Sequence, residues 1–479
     1  MFSFKRSLGV PVGGYSRVRS RPIVTFTLII VNTAIYFITS YQNLFMEISD
    51  YWVNLGGFVP SLITIPTQFY RILSSMFLHA NLFHIIFNMY FLYLFGRAVE
   101  EALGGGRFLA LYLASGIFAS IFHTAFSFIG GYPAYLIPAI GASGAISGVL
   151  GAYLLLYPGT SLIMGWWFFP FPFFIRLKAV YYLIFWFATQ VIYGYLQAAG
   201  STAVFAHAGG FIAGIALLPM VTDRDRLLQL RLTSRISPPY YLIFAPVMKS
   251  TGLDRTAKVI ISIVLASLLI GASYASTGLA DPGDVKSTSV QYTCGGASYI
   301  DYVGFQLPKI DEVISAISFD ATRILLNRLY AAGLLYDATK ANRELTIIGE
   351  TFKVPVAIKI SGSIISTEVN ITINNFTGIY DADGFLKRGE GDIATQAVSF
   401  QVAYGPGYNP YPVISYKPIS YKFSVESQTV KLANLTQYTA LTSLAVTATA
   451  IAVILTKDKE LTIIGEEPTF YEPYFGLPV

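Results

Sequence analysis

Two polar residues stand out in apolar surroundings: Ser143 in "IGASGAISGVLGAY" (residues 140–153) and His207 in "VFAHAGGFIAG" (residues 204–214). A serine hydroxyl is a weak nucleophile until a base takes its proton, and histidine, with a reference pKa of about 6.5, suits that role near neutrality. His84 and Asn88, in "HANLFHIIFNMY", are one helical turn apart and share a face, so they can donate hydrogen bonds together. Nucleophilic acyl transfer needs such donors for the developing oxyanion, and amides at a helix start add more. Asp and Glu are absent from the apolar segments around Ser143 and His207, so the expected machinery is a Ser–His dyad without an acid.

The elements that must position these residues are membrane helices. Hydrophobic residues make up 54% of the 479 and charged residues only 12%, far from soluble composition. Apolar stretches long enough to cross about 30 Å of hydrocarbon occur at residues 23–39, 81–98, 108–128, 142–157, 179–196 and 203–221, with two more at 259–275 and 435–456. Lysines and arginines concentrate in the N-terminal arm (residues 1–22) and around 97–107, 176–178 and 223–258, all on one side of a six-span core. By the positive-inside tendency that side is cytoplasmic. The net charge of +5 is thus mainly a topology signal that also attracts anionic lipid. It is not a nucleic-acid footprint.

Depth gives a further expectation. Ser143 precedes Pro158, and His207 precedes Thr222, by the same number of residues, and both spans run inward. At about 1.5 Å rise per residue both lie about 22 Å from the inner edge, roughly 8 Å below the outer surface. Small residues, Gly144 and Gly148 on span four with Ala206, Gly210 and Gly214 on span six, permit close packing in lipid. Taken alone, the glycines and serines of the first motif read equally as a packing face, but a packing stripe does not explain His207. His79 reads as interfacial, His123 as a packing histidine, and the lone Cys294 as a small buried hydrophobe.

Beyond the core (residues 23–222) lie a basic linker (223–258), span seven, a domain at 276–434 predicted to be extracellular, span eight and a tail (457–479). "KVPVAIKISGSIISTEVNITINNFTGIY" alternates as half-buried strands do, "PGYNPYPV" reads as a turn, and "DEVISAISFDATRILLNRLYAAGLLYDA" has helical spacing. The module is therefore a sandwich-like or α+β fold. Sequons at Asn370, Asn375 and Asn434 fall on the outer side, where glycosylation can occur. "ELTIIGE" occurs twice, at 344–350 and 460–466, and reads as a strand with a turn.

Three separated motifs, "HIIFN", "GASG" and "AHAGG", in that order on spans two, four and six, resemble those of the rhomboid family of intramembrane serine proteases. The resemblance covers roughly residues 20–222. It implies a six-helix membrane core with Ser143 as nucleophile, His207 as base, and the Ser143 amide with His84 and Asn88 as oxyanion hole. By the same resemblance Gly141, Gly144, Gly148 and Gly210 give structural support, Glu100 is a structural carboxylate, Arg71 belongs to the first outer loop (residues 41–78), and the partners are transmembrane substrates cleaved near the outer leaflet. No metal or cofactor is implied. Two departures stand out: Ser147 occupies a position where many members carry an aromatic that stacks on the catalytic imidazole, and Arg71 follows Tyr70 rather than a tryptophan. The implied location is the plasma membrane, with the N-terminus cytoplasmic, and the near absence of cysteine in an outward domain that keeps its sequons suggests a prokaryotic, including archaeal, source. A silent relative that binds membrane clients through the same groove is the alternative, although such proteins typically lose the serine or histidine. A transporter would show interrupted helix pairs in an internal repeat, and the sequence has none. The outer domain could meet a cell-surface partner.

Overall fold

The computed structural model describes residues 10–14, 21–168, 171–199, 202–234, 252–307, 309–315, 320–360, 363–404 and 410–464. The chain divides into two compact units, Met1–Pro282 with Ala433–Val479, and Gly283–Leu432.

The first unit is helical because its segments are apolar nearly all round, as helices buried in lipid and in one another must be. Its elements are α1 (Ile23–Ser40), the short α2 (Asp50–Gly56) and α3 (Tyr70–Ser74), and α4 (Leu82–Phe91), which runs through a π-turn at Leu92–Gly96 into α5 (Arg97–Leu103). They continue with α6 (Gly105–Phe126), α7 (Ser143–Leu156), α8 (Ala179–Tyr195), α9 (Val204–Val221), α10 (Arg224–Ser234) and α11 (Arg255–Ser276). Among the described residues, six helices are long and apolar enough to cross a membrane: those beginning at Ile23, Leu82, Gly105, Val204, Arg255 and Leu432. Helix α7 has only 14 residues. At about 1.5 Å per residue it is about 21 Å long, shorter than a hydrocarbon core of about 30 Å, and Ser143 is its first residue.

The connection between α7 and α8, a basic loop in the sequence reading, is a hairpin of β2 (Ser161–Phe168) and β3 (Phe171–Lys178). It is joined by β1 (Val10–Gly14) from the N-terminal arm. At the same end Arg107 pairs with Asp223 at 3.0 Å, linking the start of α6 to the end of α9.

Glu100 on α5 accepts hydrogen bonds from the Val24 N–H (2.9 Å), the Thr25 N–H (2.7 Å) and the Thr25 hydroxyl (2.7 Å). The first amides of a helix have no internal partners, so this carboxylate from a neighbouring helix satisfies donors of α1 and ties it to α5. Replacing it leaves buried donors unmet, at about 1–3 kcal/mol per group. Glu100→Ala should therefore lower the thermal midpoint of the detergent-solubilised protein clearly, and Glu100→Gln, which keeps one acceptor oxygen, should lower it less. Equal midpoints for wild type and Glu100→Ala would remove this role.

The second unit is a six-stranded antiparallel sheet in the order β5-β4-β9-β8-β7-β6. The strands are β4 (Asp284–Cys294), β5 (Ala297–Phe305), β6 (Glu344–Ile360), β7 (Ser363–Tyr380), β8 (Leu386–Tyr404) and β9 (Pro410–Lys431). Between β5 and β6 lie α12 (Ile310–Ser315) and α13 (Asp320–Ala331). Leu325, Leu326 and Leu329 of α13 share one buried core with Ile371, Ile393 and Tyr421 of the sheet. A helix therefore covers the sheet where a sandwich would have a second one, and the fold is α+β. Of the expected turn "PGYNPYPV", residues 406–409 lie outside the described residues, and 410–413 begin β9. Asn370 and Asn375 are exposed on β7.

Helix α14 (Leu432–Thr456) returns along the first unit and ends in α15 (Asp458–Leu461). Near its start Thr436 shares a hydrogen bond with Tyr135, and Gln437 donates to the Ser276 carbonyl (3.1 Å). Beyond its end the Thr462 hydroxyl donates to the Leu155 carbonyl (2.9 Å) and the Ile463 N–H to that of Leu156 (2.7 Å). The helix thus runs beside the whole length of the bundle. Asn434 is exposed near its start.

The repeated heptapeptide takes two conformations. Its first copy opens β6, paired with β7 from Glu344↔Ile379 onward. In the second, Glu460 and Leu461 finish α15, and Thr462 and Ile463 are buried against the end of α7. The second copy therefore departs from the expected strand. Strand formation depends on a pairing partner, and among the described residues only the first copy has one.

Candidate active site

Ser143 Oγ and His207 Nε2 lie 2.8 Å apart, across the contact between α7 and α9. The helices approach this closely because their facing residues lack side chains. A Cβ on Gly210 would overlap the Gly144 carbonyl, and one on Gly214 would overlap the Gly148 carbonyl. The small-residue stripe and the polar pair are one feature: the first sets the distance that the second uses.

The approach to Ser143 is fixed from the loop between α1 and α4. Arg71 is buried, donating from Nε to Gln68 Oε1 (2.6 Å) and from Nη1 to the carbonyls of Asn54 (2.6 Å) and Gly57 (3.0 Å). The next residue, Phe58, exchanges two backbone hydrogen bonds with Ala139 (2.9 and 2.7 Å), and the Gly141 N–H donates to the Ser75 carbonyl (2.8 Å). The loop that Arg71 organises thereby holds the strand-like segment leading into α7. The Tyr70 hydroxyl donates to the Leu55 carbonyl (2.7 Å), so the residue in the place of a tryptophan serves the same loop.

Asn81 caps α4, its side chain accepting from the His84 N–H (2.9 Å). The Ala80 N–H points at His84 Nδ1 (3.3 Å), so Nδ1 is an acceptor and the ring's proton sits on Nε2. That Nε2 lies 2.8 Å from where a Cβ on Gly141 would be, and Ser143 Oγ is 3.5 Å from the same point. Gly141 has φ +129°, which side-chain-bearing residues rarely adopt, so glycine is required there by backbone and space alike. The Asn88 amide nitrogen, one turn after His84, is buried with no protein partner. As first residue of α7, Ser143 also has a backbone N–H with no partner inside the helix. Three donors, two on α4 and one at the start of α7, are thus candidates to meet an oxygen with negative charge.

His123 lines the cavity beside Ser143, together with Met76, Ala119 and Ala206. His79 is fully buried, its ring edge-on to His84 at 5.2 Å. Ser147 donates its hydroxyl to the Ser143 carbonyl (2.6 Å) and is therefore turned back onto its own helix.

Two residues of α8 were not anticipated. Gln190 Oε1 lies 2.8 Å from His207 Nδ1, and the Trp186 ring stacks on the imidazole at 6.2 Å between centroids, 29° between planes. A glutamine within an apolar helix was the available signal, since strongly polar groups at membrane depth face the bundle interior.

Comparison with known proteins follows the same residues. The family model described as Rhomboid domain matches residues 66–224, which include His84, Asn88, Ser143 and His207. The chain carries a rhomboid domain. It is 36% identical to rhomboid protease GluP of Bacillus subtilis over 134 residues, 28% of this chain and 24% of that protein. With rhomboid protease AarA of Providencia stuartii it shares 31% over 143 residues, 28% of this chain and 50% of that one. A relative named inactive RHOMBOID-like protein 8, of Arabidopsis thaliana, is 28% identical over 177 residues, 37% of this chain and 45% of the relative. The chain thus spans about a quarter to a half of the length of these relatives. The second unit, Gly283–Leu432, lies wholly outside the matched rhomboid domain.

Proposed function

We propose that the protein is an intramembrane serine endopeptidase that cleaves transmembrane substrates near the outer leaflet through the Ser143–His207 dyad. The carrying observation is the 2.8 Å hydrogen bond between Ser143 Oγ and His207 Nε2. As Oγ attacks the scissile carbonyl, its proton passes to Nε2, and the oxyanion is met by the Ser143 N–H, His84 Nε2 and the Asn88 amide. His207 then gives the proton to the leaving amine. Water attacks the resulting ester, its proton passing through His207 back to Ser143 Oγ, and the acid product leaves with the enzyme restored.

The N-terminal arm and the basic linker face the cytoplasm, the chain resides in the cell membrane, and α11 and α14 span it on either side of an outer domain. The basic ends support this orientation, as does the length of α14 beside the bundle. The sequons Asn370, Asn375 and Asn434 are then candidate glycosylation sites, and the outer domain is free to meet a cell-surface partner. A silent client-binding role is disfavoured by an intact dyad at bonding distance, although one relative is named inactive.

The test is incubation of purified protein with a single-span substrate, and labelling with a serine-reactive phosphonate. Cleavage and labelling by wild type, both absent from Ser143→Ala, are expected. A folded wild type that neither cleaves a panel of such substrates nor labels would favour the silent reading.

A further inference from the structure

We infer that Gln190 is the positioning residue that orients His207 for proton abstraction from Ser143. This inference rests on the protease reading. A neutral imidazole carries one N–H, and the Ser143 hydroxyl can be deprotonated by Nε2 only if that proton is on Nδ1. An Nδ1–H requires an acceptor, and Gln190 Oε1 is the atom 2.8 Å away. With the carbonyl oxygen of the amide facing Nδ1, the three side chains form one directed chain: Ser143 donates to His207, and His207 to Gln190.

Trp186 lies four residues before Gln190, hence on the same face of α8, and covers the imidazole. One turn of α8 thus supplies a hydrogen-bond acceptor and a stacking surface. The residue on α7 at the family's aromatic position, Ser147, is bonded to the Ser143 carbonyl instead. The function of holding the ring has moved from the nucleophile's helix to its neighbour. Trp186 in turn lies against Phe211 of α9, at 6.1 Å between centroids, so the support is itself packed.

A neutral acceptor suits the location. In triads an aspartate holds the histidine in the correct tautomer, but an isolated carboxylate at membrane depth is costly to desolvate. An amide oxygen fixes the same tautomer without a permanent charge. Among the described residues the titratable neighbours of His207 are His84 of α4 and His123 of α6, and neither can serve as an anionic acceptor.

The test uses the full-length protein in detergent or proteoliposomes, with two variants. Gln190→Leu removes the acceptor at nearly constant volume. It should lower kcat about 10²-fold, the size of effect that follows from a misoriented catalytic group, with KM within a few-fold of wild type and labelling of Ser143 slowed in proportion. Gln190→Glu keeps an acceptor and adds a charge that favours the protonated ring, so the acid limb of its kcat/KM profile should move to higher pH. The inference is overturned by a folded Gln190→Leu with kcat within twofold of wild type, or by a folded Gln190→Glu whose acid limb stays in place. If Gln190→Leu does not fold, the Gln190→Glu profile decides alone. Activity that survives in Ser143→Ala is a different result, which sinks the protease reading and not merely the role of Gln190.

Discussion

Gly210→Val should abolish proteolysis while leaving Ser143 and His207 chemically intact. The α7–α9 contact is backbone against backbone: a Cβ at Gly210 falls onto the Gly144 carbonyl, and no flexible side-chain end is there to yield. The helices must separate or slide, and the 2.8 Å bond between Ser143 and His207 bridges the same interface, one turn away. A displacement of about 1 Å at reacting atoms costs about 10²-fold in rate, and overpacking of a tight core costs typically about 1–3 kcal/mol of stability. Valine adds two more carbons beyond the Cβ, so both effects should reach or pass these values, and Gly210→Ala should show the milder form. Gly106, at the start of α6, is the control. Nothing lies within 4 Å of its Cβ position, and Gly106→Ala should keep wild-type kcat and gain some stability, since alanine in a helix loses less backbone entropy than glycine. The measurements are kcat on a single-span substrate and the thermal midpoint for all three variants. Wild-type kcat in Gly210→Val would show that the close approach does not set the catalytic distance.

This link between stripe and dyad was partly legible in the sequence. Helix rise is nearly invariant, so counting residues from Pro158 and Thr222 placed Ser143 and His207 at one depth, and they meet. Periodicity along α4 likewise put His84 and Asn88 on one face. Rotation about a helix axis is another matter. Helix α8 is apolar nearly all round, so no stripe in its sequence announces which side faces His207, and the pairing of Gln190 with Nδ1 emerges only when α8 packs on α9. The same limit explains His79. A histidine just before a helix carries no sequence signal of its burial, and His79 is fully buried with its ring edge-on to His84. The two copies of "ELTIIGE" make the point most directly. The first copy pairs as a strand where β7 offers an edge, whereas in the second Glu460 and Leu461 close a helix and Thr462 and Ile463 bond to the end of α7.

A double-mutant cycle across the dyad should be strongly non-additive. Ser143→Ala removes the attacking oxygen, and His207→Ala removes the base without which that oxygen stays protonated, so each alone should lower kcat by about 10⁴-fold or more. The double variant should be no worse than the poorer single one, because both substitutions remove the same proton transfer. His84→Ala and Asn88→Ala belong to a second group. Each deletes one donor to the oxyanion, with an expected loss of about 10²–10³-fold in kcat in the wild-type background. In a Ser143→Ala background any residual hydrolysis still passes through an oxyanion, so either substitution should lower that residual rate further. The proton-transfer pair and the oxyanion donors are thereby separable as two groups from rates alone. Independent, additive losses at Ser143 and His207 would mean that the 2.8 Å bond between them is a packing contact and that proton transfer runs elsewhere.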